Sequence, residues 1–151
     1  MEADAFPEEL ADVLVGVQRL IRRRLRGGAP GPRLRGAEVE LLRLVEARPG
    51  VGVSAAARRL HLAGNSVSTL VNQLVRDGCL VREADPADRR AARLSLTAAA
   101  GQRLADWRRR RTELVGRHVS RLAETDREAL RAALPALRRL AATLHEETEE
   151  T

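Results

Sequence analysis

The sequence predicts a mostly α-helical fold with one small β hairpin, and three observations predict it. The apolar side chains are almost all Leu, Val and Ala, with one Phe, one Trp and no Tyr in 151 residues. Such a set packs between helices rather than filling an aromatic sheet core. Most of the chain repeats its apolar residues at helical spacing, whereas residues 92–96 alternate with period two, as a half-buried strand does.

Residues 7–25 read as the first helix. Pro7 suits a first helical position, Glu8 and Glu9 complement the helix dipole, and Leu10, Val13, Leu14, Val17, Ile21 and Leu25 recur on one face. The stretch GGAPGP at 27–32 ends it. A second helix spans 36–47 with Val39, Leu42 and Val45 inward, and Pro49-Gly50 breaks it. Val53-Ser54 opens a short third helix with Ser54 as its N-cap, ending near Leu60. After a turn at 61–64, a fourth helix covers 65–77. Val67, Leu70, Val71 and Leu74 form its apolar stripe, and Asn65, Ser68, Thr69, Asn72 and Arg76 lie opposite. Asp77-Gly78 stops it, Gly being favoured just past a helix end.

A hairpin follows, with a strand at 79–84, a turn at 85–90 (DPADRR) and a return strand at 91–96, where Arg93 and Ser95 alternate with Ala92, Leu94 and Leu96. Two long helices close the chain. One starts at Thr97 and carries Leu104, Trp107, Leu114, Val115, His118 and Leu122. The other opens with a capping box, Thr125-Asp126-Arg127-Glu128, and carries Leu130, Leu134, Leu137, Leu140 and Leu144, with Pro135 placed to bend it or locally free a carbonyl.

Helix, short helix, turn, helix and a hairpin with a charged tip, in that order, describe a winged helix-turn-helix flanked by N- and C-terminal helices. The length fits a single domain. Within it, residues 1–30 form an N-terminal dimerisation helix and loop, 31–97 the DNA-binding lobe with its β wing, and 98–151 the C-terminal dimerisation helices. The dimer follows from burial. The stripes on the first and last helices are too long for the lobe to cover, and a second copy related by a twofold axis would cover them.

The charge points to a polyanion. The net charge is +6 and every basic residue is Arg. Residues 1–12 carry five acids and 145–151 carry four, neither segment with an Arg; setting these nine aside leaves +15 on residues 13–144. Charge alone does not separate a nucleic-acid binder from a chain whose arginines solvate helix faces. No apolar run approaches the length of a membrane span, and the acidic first residues lack the basic start of a signal peptide, so the expectation is a cytoplasmic protein with no membrane partner. The single Cys79 excludes an internal disulfide framework. His61, His118 and His145 lack metal-ligand spacing, and no Gly-rich phosphate loop or activated nucleophile is visible; no enzyme, metal or cofactor is expected.

Residues 51–97 resemble the central part of the MarR family of bacterial transcriptional regulators. DPADRRAARLSLT (85–97) is similar to the family's wing, and NSVSTLVNQLVRDGCLV (65–81) resembles its recognition helix and first wing strand. The terminal helices resemble the family's dimerisation helices by position and length. Three departures bear on the DNA sequence read rather than on the fold: Ala63 and Gly64 replace a polar cap or basic residue, Thr69 stands where Arg is common, and Gly101 falls one residue late. The resemblance implies a repressor or activator that binds double-stranded DNA as a homodimer on a pseudo-palindromic operator. It leaves open release by a small-molecule effector, which would sit between the dimerisation helices and the lobe in a pocket lined mainly by Leu, Val and Ala.

A helix that reads the major groove needs short polar side chains and amides on its outer face. Asn65, Ser66, Ser68, Thr69, Asn72 and Gln73 supply them, and Asn72 and Gln73 are the types that pair with adenine; the bland alternative is a solvated helix face. Arg89 and Arg90 occupy the hairpin tip. The resemblance makes Arg90 the side chain that enters the narrow minor groove, with Asp88 holding the wing in shape; the alternative is a solvated turn with a local Asp–Arg pair. Arg58, Arg59, Arg76 and Arg93 are candidates for phosphate contacts, and Ser54 joins the DNA-facing set. The run at 108–111 reads as solvated or paired with acids across the dimer, and Trp107 as core or interface. Two other functions stand beside DNA binding: a helical dimeric interaction protein without DNA binding, and a thiol redox sensor acting through Cys79.

Overall fold

The computed structural model describes residues 5–27, 31 and 33–149. Glu2, Asp4 and Glu150 of the acidic ends, and most of the 27–32 loop, lie outside the described residues. The chain begins with α1 (Phe6–Leu25), which carries acids in its first turn and Arg22, Arg23 and Arg24 in its last, matching both ends of the helix dipole. Next is α2 (Gly36–Ala47), whose start is closed when the backbone N–H of Arg35 donates to the Glu38 carboxylate at 2.7 Å. Glu38 is thereby buried, and α2 is packed against the helices at 53–60, 64–76 and 98–119 and the strand at 92–96. Its buried face is accordingly wider than one stripe: Leu41, Leu42 and Val45 are fully buried, and Val39, expected inward, is only half-buried.

The third helix corrects the expected cap. Val51–Gly52 forms a two-residue strand, β1, so the backbone stays extended through Gly52 and α3 (Val53–Leu60) begins at once. Gly52 is the N-cap residue, and Ser54 is an exposed residue inside the first turn. His61 closes α3 in the left-handed conformation, φ 52°, with the N–H of Leu62 reaching the Ala57 carbonyl at 3.0 Å. That conformation makes His61 a turn residue. α4 (Gly64–Arg76) follows, and Gly78 at φ 70° lets the N–H of Cys79 return to the Leu74 carbonyl at 2.8 Å.

β2 (Leu80–Ala84) and β3 (Ala92–Leu96) pair antiparallel in register from Leu80↔Leu96 to Ala84↔Ala92, and β1 adds to the other side of β3. The three-stranded sheet has the order β1-β3-β2. Thr97 caps α5 (Ala98–Val119): its hydroxyl accepts from Ala100 N at 3.1 Å and donates to the Gly78 carbonyl at 2.7 Å. One hydroxyl thus ties the wing's base, the end of α4 and the start of α5. Because α5 ends at Val119, Leu122 belongs to the connecting turn rather than to the helix.

α6 (Glu124–Glu149) starts two residues before Asp126, the first helical position that a capping box on Thr125 implies. The N–H groups of Asp126 and Arg127 both reach the carbonyl of Ala123, and acids at 124 and 126 favour the positive helix end, so Thr125 lies within the first turn. The helix continues through Pro135.

One core organises the lobe. It joins Leu41, Leu42 and Val45 of α2, Ala56 and Ala57 of α3, Val67, Val71 and Leu74 of α4, Leu80 and Leu94 of the sheet, and Ala100 and Leu104 of α5. The terminal helices differ. α1 runs along α5 and buries only Leu25, while no described side chain of α6 is buried. No helix among the described residues is long and apolar enough to cross a membrane.

Candidate nucleic-acid interface

The core fixes which way α4 faces. Val67, Val71 and Leu74 point inward with no exposed surface, so the opposite side, carrying Asn65, Thr69, Asn72 and Arg76 at helical spacing, faces solvent. Ser66 is exposed beside this stripe, and Ser68 and Gln73 are half-buried at its edges. The expected reading face is therefore assembled on one side of one helix.

Its members are in different chemical states. Asn65 accepts the N–H of Ser66 on its side-chain oxygen at 2.8 Å, and the hydroxyl of Thr69 donates to the Asn65 carbonyl at 2.9 Å. With its hydroxyl hydrogen used inside the helix, Thr69 offers a methyl and an acceptor oxygen outward. Asn72 is exposed and has no side-chain partner among the described residues. Gln73 is engaged at both polar atoms: its amide nitrogen donates to the Asp77 carboxylate, at 3.0 and 3.1 Å from its two oxygens, and its oxygen accepts from Arg76 at 2.9 Å. Sequence reasoning treats Asn72 and Gln73 alike, and the structure separates them.

The wing tip is built by two carboxylates. Asp85 accepts the N–H of Ala87 at 2.9 Å and pairs with Arg93 at 3.2 Å; the Ala87 N–H, then Arg93, holds its carboxyl below the usual aspartate range. Asp88 accepts the N–H of Arg90 at 3.0 Å, and the backbone closes with Ala91 N donating to Asp88 O. Asp88 therefore shapes the turn through backbone rather than through an ion pair with its arginine neighbours. The side chains of Arg89 and Arg90 are exposed and form no ion pair among the described residues. Arg93 is committed to Asp85, a contact between the tip and the return strand that the sequence reading missed.

Of the other phosphate candidates, Arg58 is exposed and Arg59 half-buried in the last turn of α3, while the arginines of the 108–111 run find partners within the chain. Arg108 forms a two-pronged bond to Glu46 at 2.6 and 2.8 Å, tying α5 to α2 and lowering the Glu46 pKa. Arg109 pairs with Asp106, and Arg110 donates to the Gly27 carbonyl. Arg43 and Arg111 lie over the Trp107 ring at 4.6 and 4.8 Å from its centre. The arginine run is thus spent largely within this chain. An open cleft of about 500 Å3 between α1 and α5 is lined by Ile21, Arg111, Thr112, Val115, Gly116 and Val119; its surface is almost wholly apolar, supplied by Ile and Val and by the carbon atoms of Arg111 and Thr112 rather than by Leu and Ala. Cys79 is buried beside the start of β2, and burial pushes its thiol pKa up, which disfavours the thiolate that oxidation requires.

Residues 34–91 match the model of the MarR family. Among solved structures, the chain is similar to FabT of Streptococcus pneumoniae in complex with DNA, at 22% identity and a TM-score of 0.72, covering 92% of this chain and 96% of that one. A putative transcriptional regulator from Pseudomonas aeruginosa is 28% identical with a TM-score of 0.74, covering 92% and 98%. A MarR family protein from Bacillus stearothermophilus reaches 0.75 at 14% identity, covering 94% and 99%. No curated protein matches the sequence.

Proposed function

We propose, from the premise that this chain carries a MarR-family winged helix in residues 34–91 on the fold of that family's transcriptional regulators, that it binds double-stranded DNA sequence-specifically as a homodimer. The observation that carries the reading is the pairing of two exposed features: the Asn65–Thr69–Asn72–Arg76 stripe on α4, and the two uncommitted arginines at the wing tip. The first suits the major groove, whose base edges amides and hydroxyls can read. The second suits the minor groove, where negative potential concentrates when the groove is narrow. The 31–97 lobe is the reading unit in this account.

The dimer rests on what the chain leaves uncovered. Val13, Leu14, Val17 and Leu20 on α1 and Leu130, Leu134, Leu140 and Leu144 on α6 are all exposed. A second copy bringing its own α1 and α6 would cover them and set two α4 helices about 34 Å apart, one per half of a pseudo-palindromic operator. The α1–α5 cleft is the place for a small-molecule effector, because a ligand there would touch a dimerisation helix and the helix that leaves the wing.

Selection of duplexes from a random pool, followed by salt titration, tests the reading. The expected result is a two-part symmetric motif, with affinity that falls steeply with salt, by a slope of about 0.9 per phosphate contact. Binding that is independent of salt, or absent, overturns it.

A further inference from the structure

Gln73, Arg76 and Asp77 form a connected set at the end of α4, and its wiring gives each a different task. A glutamine reads adenine by presenting its carbonyl oxygen and one N–H together. Here both polar atoms already hold partners. The amide cannot turn over, because that would set its oxygen against the Asp77 carboxylate and its N–H groups against the Arg76 guanidinium. Gln73 is half-buried, which favours keeping these bonds. Arg76 gives one of its five donors to Gln73 and keeps the rest for outside partners on an exposed side chain.

We propose that Gln73 and Asp77 are positioning residues that hold Arg76 toward a DNA phosphate, leaving Asn72 as the amide that reads adenine. The inference rests on the DNA-binding reading above and refines which residue of that site carries specificity. Asp77 anchors the set although its charge by itself repels a phosphate. Its carboxylate fixes the Gln73 amide, and the amide oxygen fixes the guanidinium. Specificity then resides one residue before the clamp, on the side chain that is exposed and without a partner among the described residues.

A charge-matched pair tests this in the full chain. Asp77→Ala and Asp77→Asn remove the same charge, but only Asn keeps an oxygen to accept from Gln73. Asp77→Ala is expected to bind random and selected duplexes several-fold more weakly than Asp77→Asn, with the selected motif unchanged. Gln73→Ala should do the same relative to wild type, and combined with Arg76→Ala it should lose no more than Arg76→Ala alone. Asn72→Ala should lower discrimination at one base pair by roughly tenfold or more, with little change on random DNA. A motif altered by Gln73→Ala, or equal binding by the two Asp77 variants, overturns the clamp while leaving DNA binding intact. A wild-type chain without salt-dependent duplex binding overturns the functional reading, and the positioning role falls with it.

Discussion

The lobe and the terminal helices share a composition rich in Leu, Val and Ala, yet they end in opposite states. In the lobe, Leu41, Val45, Val67, Val71, Leu74 and Leu94 have no solvent exposure at all. On α1 and α6, Val17 is 52% exposed, Leu134 46% and Leu144 61%. The same residue types at the same helical spacing close one region within a single chain and leave the other open. An apolar stripe at helical spacing therefore does not by itself say whether its own chain covers it.

The largest effect should come from the closed region. Leu74→Ala leaves a cavity among residues with no room to collapse and should cost about 2–5 kcal/mol, independent of protein concentration, in urea unfolding. Leu134→Ala is the counterpart. In an isolated chain a half-exposed leucine contributes little, so a midpoint lowered markedly, and by an amount that varies with protein concentration, is the signature of a second copy covering α6. A small, concentration-independent change would break the comparison in its present form.

A smaller effect sits at the wing. Arg90→Ala should leave the unfolding midpoint where it is, because the side chain meets only water in the free chain, and should reduce the salt slope of duplex binding by about 1. An unchanged slope removes Arg90 from the DNA contacts. At the joint between the two regions, Thr97→Ala removes a helix cap and the hydrogen bond to the Gly78 carbonyl, and should cost about 1 kcal/mol. Thr97→Ser, which keeps the hydroxyl, should recover most of that in the same melt.

The smallest effect is a pH dependence. Glu46, bonded to Arg108, and Asp85, bonded to Ala87 N and Arg93, both have pKa values lowered by folding. Their stabilisation is fully present above the ordinary values of 4.5 and 3.8 and is lost as pH falls through the lowered folded values. Glu46→Gln should therefore be less stable than wild type near neutrality and lose less on acidification. Identical slopes for the two proteins would show that the α2–α5 tie contributes nothing measurable.

Much of the architecture was legible because it is local. Helix periods, Pro7, Gly78 and the alternation at 92–96 each act over a few residues, and the α4 face follows once Val67, Val71 and Leu74 are inward. What escaped depends on distance or on competition. β1 is two residues long, too short to show a period, and exists only because Leu94 and Arg93 lie beside it. That pairing is also what moves the start of α3 off Ser54. The bond of Arg108 to Glu46 joins residues 62 apart. Gln73 and Asn72 look equivalent on paper, and Asp77 four residues on decides between them. The i,i+4 spacing of Gln73 and Asp77 is the sequence signal that identifies the pair.

Trp107 is the chain's single tryptophan, held between a guanidinium of α2 and one of α5. All indole fluorescence of this protein consequently comes from the seam where the winged-helix lobe meets the long helix α5. Its emission wavelength and its accessibility to iodide make the chain its own unlabelled gauge of lobe movement: a ligand or duplex that shifts α2 against α5 moves the Arg43 guanidinium relative to that ring, while Arg111, on the same helix as the tryptophan, stays with it.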